Sequence, residues 1–398
     1  METSEQIECM KLLMTRLDKG TTVDAGGMVR NPVDAYTSKE RALQEWETMF
    51  RNYPQVMGLS GDLPEPGSFI TSDDLGKPML MTRDKDGKFQ AFLNVCSHRG
   101  TVVESEPRGR KNVFSCPFHA WSYSASGDLV SVPKEDHFGP VDKSCNGLVK
   151  LTAEEKHGLL WVHPEPGATF NLTELLGDLG DDLDSWGFAD LEFGAIDTYE
   201  TPMNWKFAID TFGETYHFNV LHKDTLANDI YGNVQCYDTF ERNHRMLLCA
   251  KSIDLFREMP EEDWDILLAT IPVYYLFPNI QLIPSGRHAN RPKGKLSGAT
   301  LVRVYPKKDN PHESFSQISF YTNPEIPAEE REAMSQRLEG FSEIIRDEDY
   351  AAAATCHLGA TSGAMTHFTF GRNEPALHHY HNTYNDFLGL PPLERISN

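Results

Sequence analysis

The period of the hydrophobic positions changes twice along the chain. Near the N-terminus the pattern predicts a helix, followed by a Gly- and Pro-punctuated arm, "DAGGMVRNPVDAY". In "SKERALQEWETMFRNY", residues 38–53, Leu43, Trp46, Met49 and Phe50 recur at i, i+3, i+6 and i+7, which predicts a short amphipathic helix. From 55 to about 165 the texture changes to short apolar runs between turn residues: "SFITS", "KPMLMTRDKDGKFQAFLNV", "NVFSC", "WSYSASGDLVSVP" and "HGLLWVHPEPG". "KDGK" and "SGDL" are hairpin turn signals, so this stretch reads as a small all-β unit ending at "HPEPG".

Beyond it, "LTELLGDLGDDLDSWGF" reads as helix, "EFGAIDTYETPMNW" as strand and "WKFAIDTFGETYHFNVLHKDTLA" as helix. Strand-like runs follow ("VYYLFPNIQLIPS", "ATLVRVYP", "FSQISFYTN"). Then comes a long helix over "PAEEREAMSQRLEGFSEIIRDEDYAAAATCHL", with Pro327 at a first-turn position. Strands grouped ahead of a long helix predict an α+β unit. The expected organisation is an arm over 1–44, a β-rich domain over 45–165 and an α+β domain over 166–398.

Composition narrows the function classes. The 398 residues suffice for two cores. Lys plus Arg number 37 against 59 Asp plus Glu, a net charge of −22, which lacks the basic footprint of a nucleic-acid binder and argues against anionic membranes. There is no apolar run of about 18 residues, and the N-terminal stretch lacks a signal peptide's apolar middle; the expectation is a cytoplasmic protein. Seven scattered cysteines predict reduced thiols rather than a disulfide framework. Five of them, Cys9, Cys145, Cys236, Cys249 and Cys356, have no ligand-like neighbours and are expected to be small buried hydrophobes.

The other two stand beside histidines. "NVCSHRGTVV" holds Cys96 and His98, and "FSCPFHAWSY" holds Cys116 and His119. Zinc accepts two cysteines and two histidines, but zinc fingers usually pair Cys with Cys and His with His ahead of a helix, and these surroundings are β. A [2Fe–2S] centre needs two ligands per iron. Two loops, each giving a thiolate to one iron and an imidazole to the other, meet that need. Gly100 and Pro117 suit tight turns beside such a cluster.

The stretch "CSHRG…CPFHAWSYSASGDL" resembles the Rieske domain of Rieske non-haem iron oxygenases, in particular the α subunits of aromatic ring-hydroxylating dioxygenases, and the resemblance extends over essentially the whole chain. It implies an all-β Rieske [2Fe–2S] domain and a helix-grip (START-like) catalytic domain, in which a curved antiparallel sheet wraps a long C-terminal helix. It also implies a mononuclear Fe(II). "DTFGETYHFNVLH" supplies His217 and His222. Five residues of ideal helix turn about 500°, leaving the rings some 140° apart, so both reach one metal only if the helix ends, loosens or bulges between them. A 2-His-1-carboxylate triad needs an acid from elsewhere. The family places an Asp on the long helix, where "RDEDY" offers Asp347, Glu348 and Asp349. The family's helix pattern selects Asp349, with Asp347 as runner-up and the remaining acids as a solvated face.

Glu214, three residues before His217 and on the same helix face, occupies the place of a family Asp that bridges the first iron histidine and a Rieske histidine of the neighbouring subunit, here His119. Glu in this place is similar to carnitine monooxygenase-like branches. A carboxylate between two imidazoles orients both. Asp210 stands where the family often has Asn, and either meets substrate or water or hydrogen-bonds locally. His378, His379 and His381 read as C-terminal packing near the active-site mouth, His357 as a pocket residue beside the ligand helix, and Tyr274, Tyr275 and Phe277 as sheet core.

The resemblance implies a terminal oxygenase component that uses O2 and electrons from NAD(P)H, through a separate reductase with or without a ferredoxin, to hydroxylate an aromatic or related small organic substrate. The chain has no nucleotide-binding fingerprint of its own, in keeping with a separate donor. A homotrimer would follow from electron transfer across a subunit boundary. Two alternatives stand beside it. One is a quaternary-amine (carnitine- or betaine-like) monooxygenase or demethylase. The other is a Rieske electron-transfer protein with a vestigial second site.

Overall fold

The computed structural model describes residues 1–286 and 296–396. The chain forms two compact units. One comprises Glu47–Asn171 and Phe188–Phe193. The other comprises Met1–Trp46, Leu172–Gly187 and Gly194–Asn398.

The first unit is built from short antiparallel sheets. Five strands lie in the order Lys150–Leu151, Phe89–Leu93, Met79–Arg83, Ser68–Ser72, Arg108–Arg110. Ala153–Lys156, Leu159–Val162 and Gln55–Leu59 make a second sheet. Val113–Ser115, Ser122–Ser124 and Leu129–Ser131 make a third. The hairpin signals fall where the sequence puts them: Gly87 and Gly127 both take positive φ, +77° and +83°, between paired strands. Cys96 and Cys116 belong to a buried apolar cluster with Phe92, Phe114, Trp121 and Tyr123. Both Cys–His turns are thus tied to a rigid β scaffold.

The second unit contains a seven-stranded sheet. Six of its strands run as an antiparallel meander: Ile230–Phe240, Asn243–Ala250, Thr270–Leu276, Ile280–Ser285, Gly298–Lys307 and Asn310–Thr322. Glu192–Thr201 adds beside the last of them. The long helical run comprises Ala328–Ile344, a wider π turn over Ile345–Tyr350, and Ala351–Thr361. It is fastened to the sheet by Tyr350 Oη donating to Ser316 Oγ at 2.9 Å, and by the hydroxyls of Tyr199 and Ser342, 2.9 Å apart. Pro327 precedes the first helical residue rather than filling the first turn. Met28–Pro32 pairs with both His367–Phe370 and Glu394–Ile396 in a separate three-stranded sheet of this unit.

Three expectations need correction. The helix expected over 38–53 is helical over Lys39–Glu45 and then widens into a π turn over Trp46–Phe50. It buries Trp46, Met49 and Phe50, while Leu43 stays 45% exposed. Widening by one residue per turn rotates the apolar stripe away from the i position where it began. Of the five cysteines expected to be buried hydrophobes, Cys145 and Cys356 are exposed and Cys9 is half-buried. The expected continuous helix from Trp205 to Ala227 is three short pieces: Trp205–Asp210, Phe218–Leu221 and Leu226–Asn228. No helix among the described residues is long and apolar enough to cross a membrane.

Candidate metal centres

The two Cys–His turns share one backbone design. The N–H of Cys96 donates to the carbonyl of Thr101 (2.8 Å), and that of Gly100 to the carbonyl of Cys96 (2.9 Å). In the second turn Cys116 N–H donates to Trp121 O (2.8 Å), and Ala120 N–H to Cys116 O (2.9 Å). The fifth residue of each turn is left-handed, Gly100 at φ +77° and Ala120 at φ +56°. Alanine in that conformation costs roughly 1–2 kcal/mol, a strain that persists because the paired bonds and the flanking strands over-determine it.

Both cysteines are buried. The His98 ring stacks on Trp121 (centroids 4.9 Å, 11°) and meets the His119 ring edge to face at 4.7 Å. Burial, then the neighbouring His119 and Arg99, hold His98 below its ordinary pKa, which favours the neutral imidazole a metal requires. His119 Nδ1 is buried without a hydrogen-bond partner among the described residues. A nitrogen aimed at a cluster has this property, so two thiols and two imidazoles with an orphaned ring nitrogen fit the mixed-ligand [2Fe–2S] donor set. Tyr123 was not singled out from the sequence. Its hydroxyl lies 3.2 Å from Cys96 Sγ and accepts from Ser97 N–H at 3.0 Å. Burial and Cys96 push it up to about 12, so it stays a donor.

In the second unit the five-residue spacing of the histidines is resolved by a break. His217 immediately precedes, and His222 immediately follows, the single helical turn Phe218–Leu221. Their Nε2 atoms lie 3.2 Å apart, and Asp349 Oδ1 sits 3.4 Å from the first and 3.3 Å from the second. Among the described residues, these three groups could hold a metal, with all ligand atoms within 4.8 Å of one another. Two ligands about 2.1 Å from one ion and 90–109° apart are separated by roughly 3.0–3.4 Å, so the trio fits a single first-row metal. Burial alone would raise Asp349, but the two imidazoles outweigh it and hold the carboxyl below the ordinary range. Burial pulls His217 down, yet Asp349 and Glu214 lift it to about 9. Asp347, the runner-up ligand, is exposed and paired with Arg346 at 2.6 Å.

Glu214 turns into its own loop. It accepts from the backbone N–H groups of Tyr216 and His217, and it binds His217 Nδ1. Glu348, expected to be part of a solvated face, instead lies 2.6 Å from His222 Nδ1 and accepts from Thr225 Oγ1 at 2.8 Å. Asp210 hydrogen-bonds locally: it accepts from Tyr36 Oη at 2.6 Å and lies 2.9 Å from His381 Nε2, outside the residues lining the cavity described below. His381 is thereby a clamp on the helix that leads into the ligand loop. Gly213 in that loop packs so closely on the same C-terminal helix that a Cβ would sit 2.7 Å from Tyr380. His357 lines no part of that cavity; its Nε2 lies 2.9 Å from His312 Nδ1. Tyr274, Tyr275 and Phe277 are buried in the sheet core as expected.

Beside the trio opens a cavity of about 670 Å³. His222, Asp349 and Glu214 contribute to its wall, and Phe212, Phe218, Leu248, Ile283 and Phe341 are among its apolar lining. That size and lining suit a small organic ligand.

A chain with a mixed Cys/His iron–sulfur donor set on a β scaffold, and a 2-His-1-carboxylate trio beside an apolar cavity, has the make-up of an iron-dependent redox protein. Comparison with known proteins narrows the class. The family model described as the ring hydroxylating alpha subunit (catalytic domain) matches residues 188–390, and that of the Rieske [2Fe-2S] domain matches 54–149. The chain belongs to the ring-hydroxylating alpha-subunit family. Its Rieske domain takes a [2Fe–2S] cluster and its catalytic domain implies a mononuclear iron.

In sequence the chain is 34% identical over 200 residues to the carnitine monooxygenase oxygenase subunit of Acinetobacter baumannii (49% of this chain, 54% of that one). It is 30% identical over 207 residues to the anthranilate 1,2-dioxygenase large subunit of Acinetobacter baylyi (50% and 44%). The chain thus spans about half the length of the curated relatives it matches. In fold it resembles a quaternary ammonium Rieske monooxygenase bound to L-carnitine (TM-score 0.71, 22% identity, 89% of this chain and 94% of that one). It also resembles naphthalene 1,2-dioxygenase from Rhodococcus sp. (TM-score 0.70, 19% identity, 96% and 98%). Likeness at these identities shows the fold, an α+β arrangement with antiparallel sheets.

Proposed function

We propose that the protein is the terminal oxygenase component of a Rieske system. In this reading it hydroxylates an aromatic or related small organic substrate with O2 and with electrons from NAD(P)H, passed by a separate reductase with or without a ferredoxin. The observation that carries the reading is the convergence of His217, His222 and Asp349 on one point of an apolar cavity, in a chain that also presents the two Cys–His turns. An iron(II) held there supplies open positions for oxygen chemistry, and the cluster supplies single electrons.

The chain's own residues do the rest. Cys96 and Cys116 provide thiolates, and His98 and His119 imidazoles, to the cluster. Glu214 fixes the His217 ring through Nδ1. The apolar wall excludes water and holds the substrate beside the trio.

Glu214 also serves as the bridge to His119 of a neighbouring copy, which makes the working form a homotrimer. A solved quaternary ammonium Rieske monooxygenase of this fold is described in terms of inter-subunit electron transfer, which supports that reading. The described cysteines are all free, in keeping with a reducing cytoplasm.

A second reading, a quaternary-amine monooxygenase, is favoured by the carnitine monooxygenase relatives and by Glu214 and Asp229 in a cavity that also holds three phenylalanines. The electron-carrier reading with a vestigial second site is disfavoured by the assembled trio.

Iron content separates oxygenase from carrier: about three irons per chain against about two. Electron paramagnetic resonance of the nitric oxide-treated reduced protein, scanned over aromatic acids, neutral arenes and quaternary amines, tests the substrate class. A signal that changes with arenes or aromatic acids supports the first reading. A change confined to the amines supports the second, and no nitric oxide signal beside an intact cluster returns the carrier.

A further inference from the structure

Both histidines of the trio are held in the same way, with Nε2 toward the metal position and Nδ1 against a glutamate. For His217 the glutamate is its loop neighbour Glu214. For His222 it is Glu348, 126 residues away in sequence, with Oε2 at 2.6 Å from Nδ1. The two arrangements differ in setting. Glu214 lines the cavity, whereas Glu348 does not, and the ring it holds is 1% exposed.

We propose that Glu348 is a positioning residue for the mononuclear metal, acting through His222 and kept in register by Thr225. The proposal rests on the metal-centre reading above. Because His222 Nε2 faces Asp349 Oδ1 at 3.3 Å and His217 Nε2 at 3.2 Å, its hydrogen must sit on Nδ1 when a metal is bound. An ionised carboxylate only accepts, so Glu348 fixes that tautomer, fixes the ring's rotation and raises its basicity toward the metal. The Thr225 hydroxyl donates to the same Glu348 oxygen at 2.8 Å, while its backbone N–H donates to His222 O at 3.0 Å. Thr225 therefore links the ring's own residue to the acid that orients it.

The helix makes this possible. Over Ile345–Tyr350 it widens to a π turn, and the consecutive residues Glu348 and Asp349 both face the histidines. Asp347, one residue earlier, pairs with Arg346 at the surface. The wide turn thus delivers a ligand and the support of a second ligand from adjacent positions.

The test is metal affinity of the cluster-loaded protein, measured by chelator competition with Fe(II) and with Co(II), whose visible ligand-field bands report the geometry. Glu348→Ala should weaken both ions by about 10–100-fold and shift the Co(II) bands, with the cluster's absorbance unchanged. Glu348→Gln fills the same space without the charge and should still bind several-fold more weakly than the parent. Parental affinity in Glu348→Gln would reduce Glu348 to a packing residue and overturn the proposal, as would Glu348→Ala binding within threefold of the parent. A parent protein that binds neither ion beyond an Asp349→Ala control would instead remove the metal-centre reading itself, and this proposal with it.

Discussion

Glu45 and Lys206 form an ion pair sealed in the catalytic unit, with side chains 0% and 1% exposed. The ammonium donates to both carboxylate oxygens at 2.7 and 2.6 Å, while Trp205 Nε1 (3.0 Å) and Arg41 Nε (3.1 Å) complete the shell around Glu45. Lys206 lies in the first turn of the short helix Trp205–Asp210, which leads into the ligand loop, so the pair helps set where that loop begins. Replacing Glu45 by Gln leaves the ammonium without its counter-charge, a change that costs about 3–5 kcal/mol in buried pairs.

The lysine has one escape, which is to fold neutral. From its ordinary value of 10.5, neutrality at pH 7 costs about 1.36 kcal/mol for each of some 3.5 units, close to 5 kcal/mol relative to the unfolded chain. The parent, with Lys206 already lowered to about 8, bears most of that cost too, so this escape holds the penalty against the parent well below about 5 kcal/mol. The sign follows from proton counts. In Glu45→Gln the unfolded chain binds one more proton than the folded one through pH 7–8, so stability rises with pH by about 1.4 kcal/mol per unit. In the parent, burial lowers Lys206 but Glu45 holds it to about 8, so most of the proton stays bound in the folded state below pH 8 and the corresponding rise is only a fraction of that. The gap between the two proteins should therefore narrow by about 1 kcal/mol from pH 7 to pH 8. Urea unfolding followed by far-ultraviolet circular dichroism measures it, with the cluster's visible absorbance reporting the Rieske unit separately. A penalty below about 1 kcal/mol at pH 7, or a gap that stays constant or widens toward pH 8, would refute the reasoning.

Other changes test the two centres. Tyr123→Phe removes a hydroxyl 3.2 Å from Cys96 Sγ; losing about 1.4 kcal/mol of preference for the reduced cluster should lower its potential by roughly 60 mV in a redox titration. Asp349→Ala should drop iron from about three to about two per chain while the cluster colour remains, whereas Asp347→Ala, at an exposed pair, should keep both. Glu214→Ala should keep the cluster, hold the mononuclear iron more weakly through the loss of its His217 contact, and stop turnover even when loaded with iron; normal turnover would exclude it as the bridge.

The parts of this protein legible from its sequence are those encoded by neighbours. Cys96, His98, Cys116 and His119 lie within 24 residues on β turns, so type and spacing already state their chemistry. His217 and His222 were legible as a pair that requires a helix break, because the angle between their rings follows from 3.6 residues per turn. Asp349 entered through resemblance to the family, since "RDEDY" alone does not distinguish three acids on one helix. The tertiary structure decided the rest. The π turn makes Glu348 a partner of His222 rather than a solvated acid, and the return of the C-terminal helix joins His381 to Asp210 across 171 residues. The Cys96 contact of Tyr123 depends on strands 122–124 and 129–131 folding beneath the first loop. Local spacing specifies what a short segment can bind. Which distant side chain completes the site depends on helix phase and sheet register, and these are set by packing over the whole unit.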